Sequence, residues 1–590
     1  VQNNGNPSGA ICMSLPSPSE PESFLDQQLD NLMLRLCRQC GHEPDADQRQ
    51  DLARLLQRVN QATLAGRIAL PLSASGLENG IEKLQPLPVL GGPEDYTPLV
   101  LEHGHVWFRR YWQYEQRLAC NLNQRLRPVT LPPSVQTAID TRLAQWFADP
   151  DAALQRQAVT LAMQQHFSII SGGPGTGKTT TVVRLLALLL EVLQLTPERI
   201  LLAAPTGKAA MRLQESIRHA RSSLGLPEAI LGRLPDQAGT LHRLLGYRPG
   251  SNRFRHGPQH PLPAQVVIVD EASMIDIALM THLFEAVPDP ARLILLGDRD
   301  QLASVETGSV FRDLCRYSDA PDHALHAHVT LLQKSWRFRS DSGIGQLAQA
   351  VRDGDERQLE QVLAQNWPDL GLQPTIHLEA GQLRSAWQDY LKALQANPPD
   401  LAQIFNAFND FRILTPLRQG NSGSERLNQY INRTLRQHLS QGQRRQPDPE
   451  WFHGRPILIT RNDYRLQLFN GDLGLCLQQP DGSFRVWFQG NDAGGPQWRS
   501  LAPVRLPAHE SAWVMTIHKS QGSEFGQVLL ILPEENDNPI LGRELLYTGI
   551  TRARNRLDIM GGMETLKPAL QRTLGPVSCL GWRLAQVEGH

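Results

Sequence analysis

The hydrophobic positions change period along the chain. Between 20 and 70 they recur at helical spacing, as in Leu29, Leu32 and Leu36 and then Leu52, Leu55, Leu56 and Val59. That spacing predicts amphipathic helices. Pro128, Pro132 and Pro133 set a boundary near 125–135. Beyond it the pattern alternates. Nearly continuous apolar runs at 167–171, 199–204, 265–270 and 292–297 are separated by helical stretches, as expected for a parallel sheet covered on both faces. A second alternating set begins near 330, with strands predicted at 411–415, 512–517, 526–532 and 555–559. Within it, about 450–505 shows short strands, an Asp481-Gly482 turn and a Gly494-Gly495-Pro496 loop. This segment reads as a small β-barrel inserted into the second α/β unit. No internal repeat of short period is found, and no run of 18 apolar residues that would span a membrane. The densest apolar stretch, Leu185 to Leu190, is bounded by Arg184 and Glu191 and reads as a buried helix.

Composition narrows this picture. A chain of 590 residues is too long for one core, so three or four domains are expected. The 58 basic and 59 acidic residues nearly cancel, to a net charge of −1, so any nucleic-acid surface must be local. Seven scattered cysteines argue for a reducing, cytoplasmic setting and against a disulfide framework. Cys37 and Cys40 form one C-x-x-C, but no second pair completes a metal site, and both are expected to be structural. The first twelve residues look like no signal peptide, and Met13 is read as the natural start.

The chemistry centres on 172–179, Gly-Gly-Pro-Gly-Thr-Gly-Lys-Thr, which fits G-x-x-x-x-G-K-[ST]. The apolar run Phe167-Ser168-Ile169-Ile170 precedes it, and helically spaced Val182, Val183, Leu185, Leu186 and Leu189 follow. Strand, glycine loop and helix in that order define a phosphate site. Backbone N–H groups over Gly172, Gly173, Pro174, Gly175, Thr176, Gly177, Lys178, Thr179 and Thr180 are expected to enclose a polyphosphate at a helix N-terminus. Lys178 would reach the β- and γ-phosphates and Thr179 would hold Mg²⁺, so ATP and Mg²⁺ are the expected cofactors.

Other polar groups fall at strand ends. Asp270 closes strand 265–270 and is expected to hold Mg²⁺, while Glu271 polarises the attacking water. Gln301, after strand 292–297, is placed to sense the γ-phosphate. Arg337 and Arg552 belong to the second α/β set and would reach that phosphate if the two units face each other across the nucleotide. The cleft would then close on ATP and relax after hydrolysis. Pro205-Thr206-Gly207-Lys208 and Thr516-Ile517-His518-Lys519-Ser520-Gln521-Gly522 offer hydroxyls, N–H groups and cations to a nucleic-acid backbone. The stretch 242–260 has Arg243, Arg248, Arg253 and Arg255 with Tyr247 and Phe254 interleaved and no acidic residue. Cations beside aromatic rings grip single strands without sequence readout.

In order and spacing these segments resemble the motif set of superfamily 1 helicases. The set runs Gln155, the glycine loop, Ala204-Pro205-Thr206-Gly207-Lys208-Ala209-Ala210, Gly239-Thr240-Leu241-His242, Val269-Asp270-Glu271-Ala272-Ser273-Met274, Gly297-Asp298-Arg299-Asp300-Gln301-Leu302, Ser335-Trp336-Arg337-Phe338, the 516–522 segment and Tyr547-Thr548-Gly549-Ile550-Thr551-Arg552-Ala553. The resemblance covers about 150–560. Leu302-Ala303-Ser304-Val305-Glu306 and Gly246-Tyr247-Arg248-Pro249-Gly250-Ser251 look like the RecD family, the α subunits of exodeoxyribonuclease V.

That resemblance implies two RecA-like domains at 126–330 and 331–590, the second holding an SH3-like β-barrel at about 450–505. It also implies a helical N-terminal domain at 1–125 that docks on RecC. It implies ATP-driven 5′→3′ translocation on single-stranded DNA beside RecB and RecC, in double-strand-break repair, with the nuclease in RecB. Gln155 would recognise adenine. Thr206, Lys208, Thr240, His242, Thr516, His518 and Lys519 map onto positions that touch DNA, and Gln521 and Glu524 onto positions that couple nucleotide to DNA. Two other readings stand beside this one: a stand-alone helicase of the same superfamily, acting on DNA or RNA, and a structural subunit whose ATPase regulates assembly.

Overall fold

A computed structural model describes residues 24–587, apart from 78, 79, 224, 236, 249, 250, 252, 304–306, 339, 340, 440–449, 464, 493, 494, 537, 574 and 576. Met13, Pro249, Gly250, Ser304 to Glu306 and Gly494 lie outside the described residues.

Two parallel sheets organise the chain. The first has six strands in the spatial order Val329–Leu332, Phe167–Gly172, Arg292–Gly297, Val266–Val269, Ile200–Ala204 and Ala238–Thr240. Every neighbouring pair is parallel. The four predicted runs form its centre, and its flanking strands at 238–240 and 329–332 are too short to stand out as runs. The helix Lys178–Glu191 buries Leu185 to Leu190 against this sheet, as their density requires. Each such leucine contributes about 2 kcal/mol on burial. The second sheet has five strands, Leu370–Gln373, Ala553–Met560, Phe525–Ile531, Phe411–Thr415 and Val514–Thr516, again all parallel.

The insertion differs from the expected closed barrel. Its five antiparallel strands run Gly495–Leu501, Phe484–Asp492, Leu473–Gln478, Arg455–Ile459 and His509–Ser511. Among the described residues the first and last of these are not paired, so the sheet is open. The last strand leads after two residues into Val514–Thr516 of the parallel sheet.

The N-terminal region is mixed rather than helical. Helices Phe24–Gln39, Ala46–Leu64 and Arg109–Arg125 are joined by a four-stranded sheet, ordered Leu70–Pro71, His105–Phe108, Leu99–Glu102 and Leu90–Gly91. Strands of two to four residues are too short to imprint a period of two on the sequence. Asp45 and Gln48 form a capping box at the start of Ala46–Leu64, and Leu52, Leu55, Leu56 and Val59 are buried as expected. In Phe24–Gln39 the buried stripe is Asp26, Met33 and Cys37, while Leu32 is exposed. Asp26 enters that stripe because its carboxylate accepts from Asn60 Nδ2 at 2.7 Å. Cys37 is buried but Cys40 is exposed, so only the first is a core cysteine. Both chain ends reach the first sheet: Leu118 and Leu122 of Arg109–Arg125 and Leu580 and Leu584 of the helix Leu580–Val587 share a core with Phe167 and Ile169.

Candidate nucleotide and nucleic-acid site

Parallel strands bring their carboxyl ends to one edge, where ligands of such sheets bind. Here that edge collects Gly172, Ala204, Val269, Gly297 and Leu332. Gly177 caps the helix Lys178–Glu191 in the left-handed region at φ 85°, and Gly175 has φ 78°. Both turns need glycine. A Cβ on Gly175 would also collide with Cβ of Arg337. Lys178 Nζ donates to the carbonyls of Gly172 and, at 3.1 Å, Gly173. Thr176 Oγ1 donates to Gly173 O at 2.8 Å. Pro174 O accepts from Ser335 Oγ at 3.2 Å, and Gly175 O from Trp336 N at 2.7 Å. Thr179 and Thr180 are half-buried in the first helical turn. Gln155 is buried beside the loop and donates to Thr176 O at 3.1 Å, while its own Oε1 is buried with no partner. An acceptor left open there suits an amino group on a base.

Asp270 follows the strand Val266–Val269, and its Oδ1 accepts from Glu271 N at 2.9 Å. Burial, then the adjacent Glu271 carboxylate, pushes Asp270 up to about 6. Glu271 itself stands at φ 53°. A left-handed glutamate costs about 1–3 kcal/mol, a strain typical of active sites. Among the described residues no three His, Cys, Asp or Glu side chains group to hold a metal. The Asp270 carboxylate and Thr179 hydroxyl are hard oxygen donors. They fit Mg²⁺, which takes one or two protein oxygens and completes its shell with phosphate and water.

Gln301 is buried and donates to Asp298 Oδ2 at 3.0 Å. The same oxygen accepts from Tyr547 OH at 3.3 Å, from the far side of the seam. The loop after Gln301 is held by the second unit. Leu302 N donates to Thr548 Oγ1 at 2.8 Å, and Gln521 Nε2 donates to Leu302 O at 2.9 Å. Arg337 NH2 donates to both Glu524 oxygens at 2.9 Å, while NH1 is buried with no partner. Arg552, 2% exposed, donates to Thr548 O at 3.1 Å and Ser523 O at 3.0 Å. Burial raises the Glu524 carboxyl, but Arg337, Arg212 and Arg552 outweigh it and hold the group down at about 2.

The nucleic-acid residues form two facing loops and a basic flank. Thr206 Oγ1 accepts from Ala209 N at 3.2 Å at the start of the helix Gly207–Ser223. Thr240 caps the neighbouring turn, on the strand paired to Ile200–Ala204. Across the seam, Gly522 approaches Ala209 so closely that its Cβ would lie 3.6 Å from Ala209 Cβ. Lys208 is half-buried in this contact; burial, then Arg212 and Arg412, lowers its ammonium to about 7. Thr516 is buried, burial holds His518 below the usual imidazole range, and Lys519 pairs with Glu510 at 2.7 Å. On the flank, His242, Arg253 and Arg255 are exposed. Tyr247 and Phe254 are half-buried. Their rings pack on each other at 5.8 Å, Phe254 also on His282 at 4.9 Å.

Three groups in this seam had no assigned role in the sequence: Asp298, Tyr547 and Arg212. Asp298 and Tyr547 stood inside quoted motifs. Arg212 lies one helical turn beyond Lys208, and that spacing was its only signal.

A glycine loop on one parallel sheet, flanked by the Arg337 loop and closed by Arg552 and Tyr547 from a second unit, defines a P-loop protein of helicase type. Residues 155–307 match the AAA domain family and 511–560 the UvrD-like helicase C-terminal domain. The chain is 36% identical over 533 residues to the RecBCD enzyme subunit RecD of Haemophilus influenzae, covering 82% of this chain and 81% of that protein. It is 39% identical over 497 residues to the RecBCD enzyme subunit RecD of Mycobacterium tuberculosis, covering 81% and 80%. The chain belongs to the RecD family. It is also 34% identical over 405 residues to the ATP-dependent RecD2 DNA helicase of Deinococcus radiodurans, covering 68% of this chain and 48% of that one.

Proposed function

We propose that this chain is the ATP-dependent 5′→3′ DNA helicase and translocase subunit of a cytoplasmic RecBCD-type helicase–nuclease. It acts with RecB and RecC on double-strand ends, in break repair by homologous recombination. Coverage of four-fifths of the RecD relatives, against half of RecD2, favours this over a stand-alone helicase. The working division is 1–125 for partner docking and 126–330 and 331–590 as two RecA-like units, the second carrying the inserted antiparallel sheet at about 450–505. Phe24, 78% exposed, with Leu25 and Leu32 offers the N-terminal region an apolar face for a partner.

The roles follow from position. Residues 172–180 cradle the phosphates, and Gln155 receives the adenine. Thr179 and Asp270 hold Mg²⁺, which when bound neutralises phosphate charge. Glu271 orients the attacking water, and Gln301 reads the γ-phosphate with the side-chain amide that here donates to Asp298. Lys178, Arg337 and Arg552 stabilise the charge that develops in transfer; such arginines are worth about 10³–10⁵ in rate elsewhere. Gln521 and Glu524 link this chemistry to the loops carrying Thr206, Lys208, Thr240, His242, Thr516, His518 and Lys519, where a DNA strand runs, with Arg253 and Arg255 beside it.

The observation that carries this reading is the seating of the Arg337 loop on the phosphate loop, through Trp336 N to Gly175 O. Strand polarity tests it. The full chain should unwind a partial duplex with a 5′ overhang and leave one with a 3′ overhang intact. The reverse preference would remove the assignment.

A further inference from the structure

Glu524 has two arginine partners: Arg554 from its own sheet, and Arg337 from the loop that leaves the first sheet's edge strand Val329–Leu332 and rests on the phosphate loop. Arg337 NH2 holds both oxygens at 2.9 Å, and Arg554 Nε reaches Oε2 at 3.0 Å. A third arginine faces it from across the seam. Arg212 lies on the helix Gly207–Ser223, three residues after Ala209, and residues at that spacing share a helix face. Ala209 meets Gly522, two residues before Glu524. Arg212 therefore looks across the seam at Glu524. It is half-buried and makes no hydrogen bond or ion pair among the described residues. Burial lowers its guanidinium to about 10. Glu524, Glu271 and Asp270 draw it in, while Arg552, Arg554 and Lys208 oppose it. An enclosed guanidinium without a partner is costly, so the arrangement implies a partner that arrives in another state.

We propose that Arg212 is a positioning residue that takes over Glu524 when the γ-phosphate draws Arg337 away. The proposal rests on the reading that Arg337 reaches that phosphate, for which its buried, unpaired NH1 is already poised. Without a replacement, the carboxylate would lose its bidentate partner in a low-dielectric seam and hold Arg337 back. With Arg212 in place, the carboxylate keeps an arginine of the first unit while Arg337 turns to the phosphate. Loss of the γ-phosphate returns Glu524 to Arg337.

The test uses the full chain with Mg²⁺ and a single-stranded oligonucleotide, measuring affinity for ADP and for ADP–fluoroaluminate. Arg212→Gln should weaken ADP–fluoroaluminate about tenfold, leave ADP binding unchanged, and be partly rescued by Arg212→Lys. In a Glu524→Gln background the same substitution should have no further effect. Equal weakening of both ligands, no weakening, or an undiminished effect in the Glu524→Gln background would overturn the handover. Arg337→Gln separates the two layers. If it binds ADP–fluoroaluminate normally, the parent reading fails as well. If it binds weakly while Arg212→Gln does not, only the handover fails.

Discussion

One terminal nitrogen of Arg337 bonds both carboxylate oxygens of Glu524 at 2.9 Å, while the other lies buried without a partner. Half of this guanidinium is anchored and half is open. The pair has a stability signature. Glu524 is depressed to about 2 because Arg337, Arg212 and Arg552 outweigh its burial. A depressed carboxyl stabilises the fold above its unfolded pKa, and that contribution is lost as pH falls through the folded value. Glu524→Gln should cost about 3 kcal/mol at pH 7. The gap between the two proteins should be full above about pH 5 and narrow below it, towards pH 2. Thermal melts of both across pH check this; a gap independent of pH would contradict it.

Gly175 is constrained twice, by its φ of 78° and by Cβ of Arg337. Gly175→Ala should push the Arg337 loop off the phosphate loop. ATP turnover should fall about 100-fold or more, as misplaced catalytic groups do, while far-UV circular dichroism stays unchanged. Steady-state hydrolysis measures the loss, and near-normal turnover would show that the contact is dispensable.

Lys208 sits at about 7 because burial, then Arg212 and Arg412, disfavours its charge. A DNA phosphate favours the charged form, so binding above pH 7 should take up a proton. Affinity for a single-stranded oligonucleotide should fall as pH rises from 7 to 9, and Lys208→Met should flatten that slope. Titration calorimetry in buffers of different ionisation enthalpy reads the proton directly; no uptake at pH 8 would contradict the placement of Lys208 on the strand.

Much of this was legible in the sequence because the signals were dense. The runs at 167–171 and 292–297 are buried on both faces, so their composition alone marks them as strands. The glycine loop is legible because phosphate geometry dictates it. The four-stranded N-terminal sheet was not, since its strands are too short to show a period. Leu32 misled because Asn60, far along the chain, makes Asp26 a core residue. Arg212 and the Asp298–Tyr547 bond depend on contacts between units, which local pattern does not encode. Tyr247 and Phe254 are half-buried and pack on His242 and His282, contacts that local pattern does not encode either.

Arg253 and Arg255 are exposed on the basic stretch, as are Arg243 and Arg248. Replacing both by alanine should weaken single-strand binding and reduce the slope of log affinity against log salt by about 1–2. Binding isotherms at several salt concentrations check this. An unchanged slope would make the loop ordinary surface.

The central claim is that nucleotide held at the glycine loop drives motion on DNA. Lys178 lies at the heart of that loop, bonded to the Gly172 and Gly173 carbonyls. The most direct measurement is DNA-stimulated ATP hydrolysis by the full chain, compared with Lys178→Gln. The expected result is loss of stimulated hydrolysis with an unchanged melting profile. Hydrolysis at the parental rate would contradict the account.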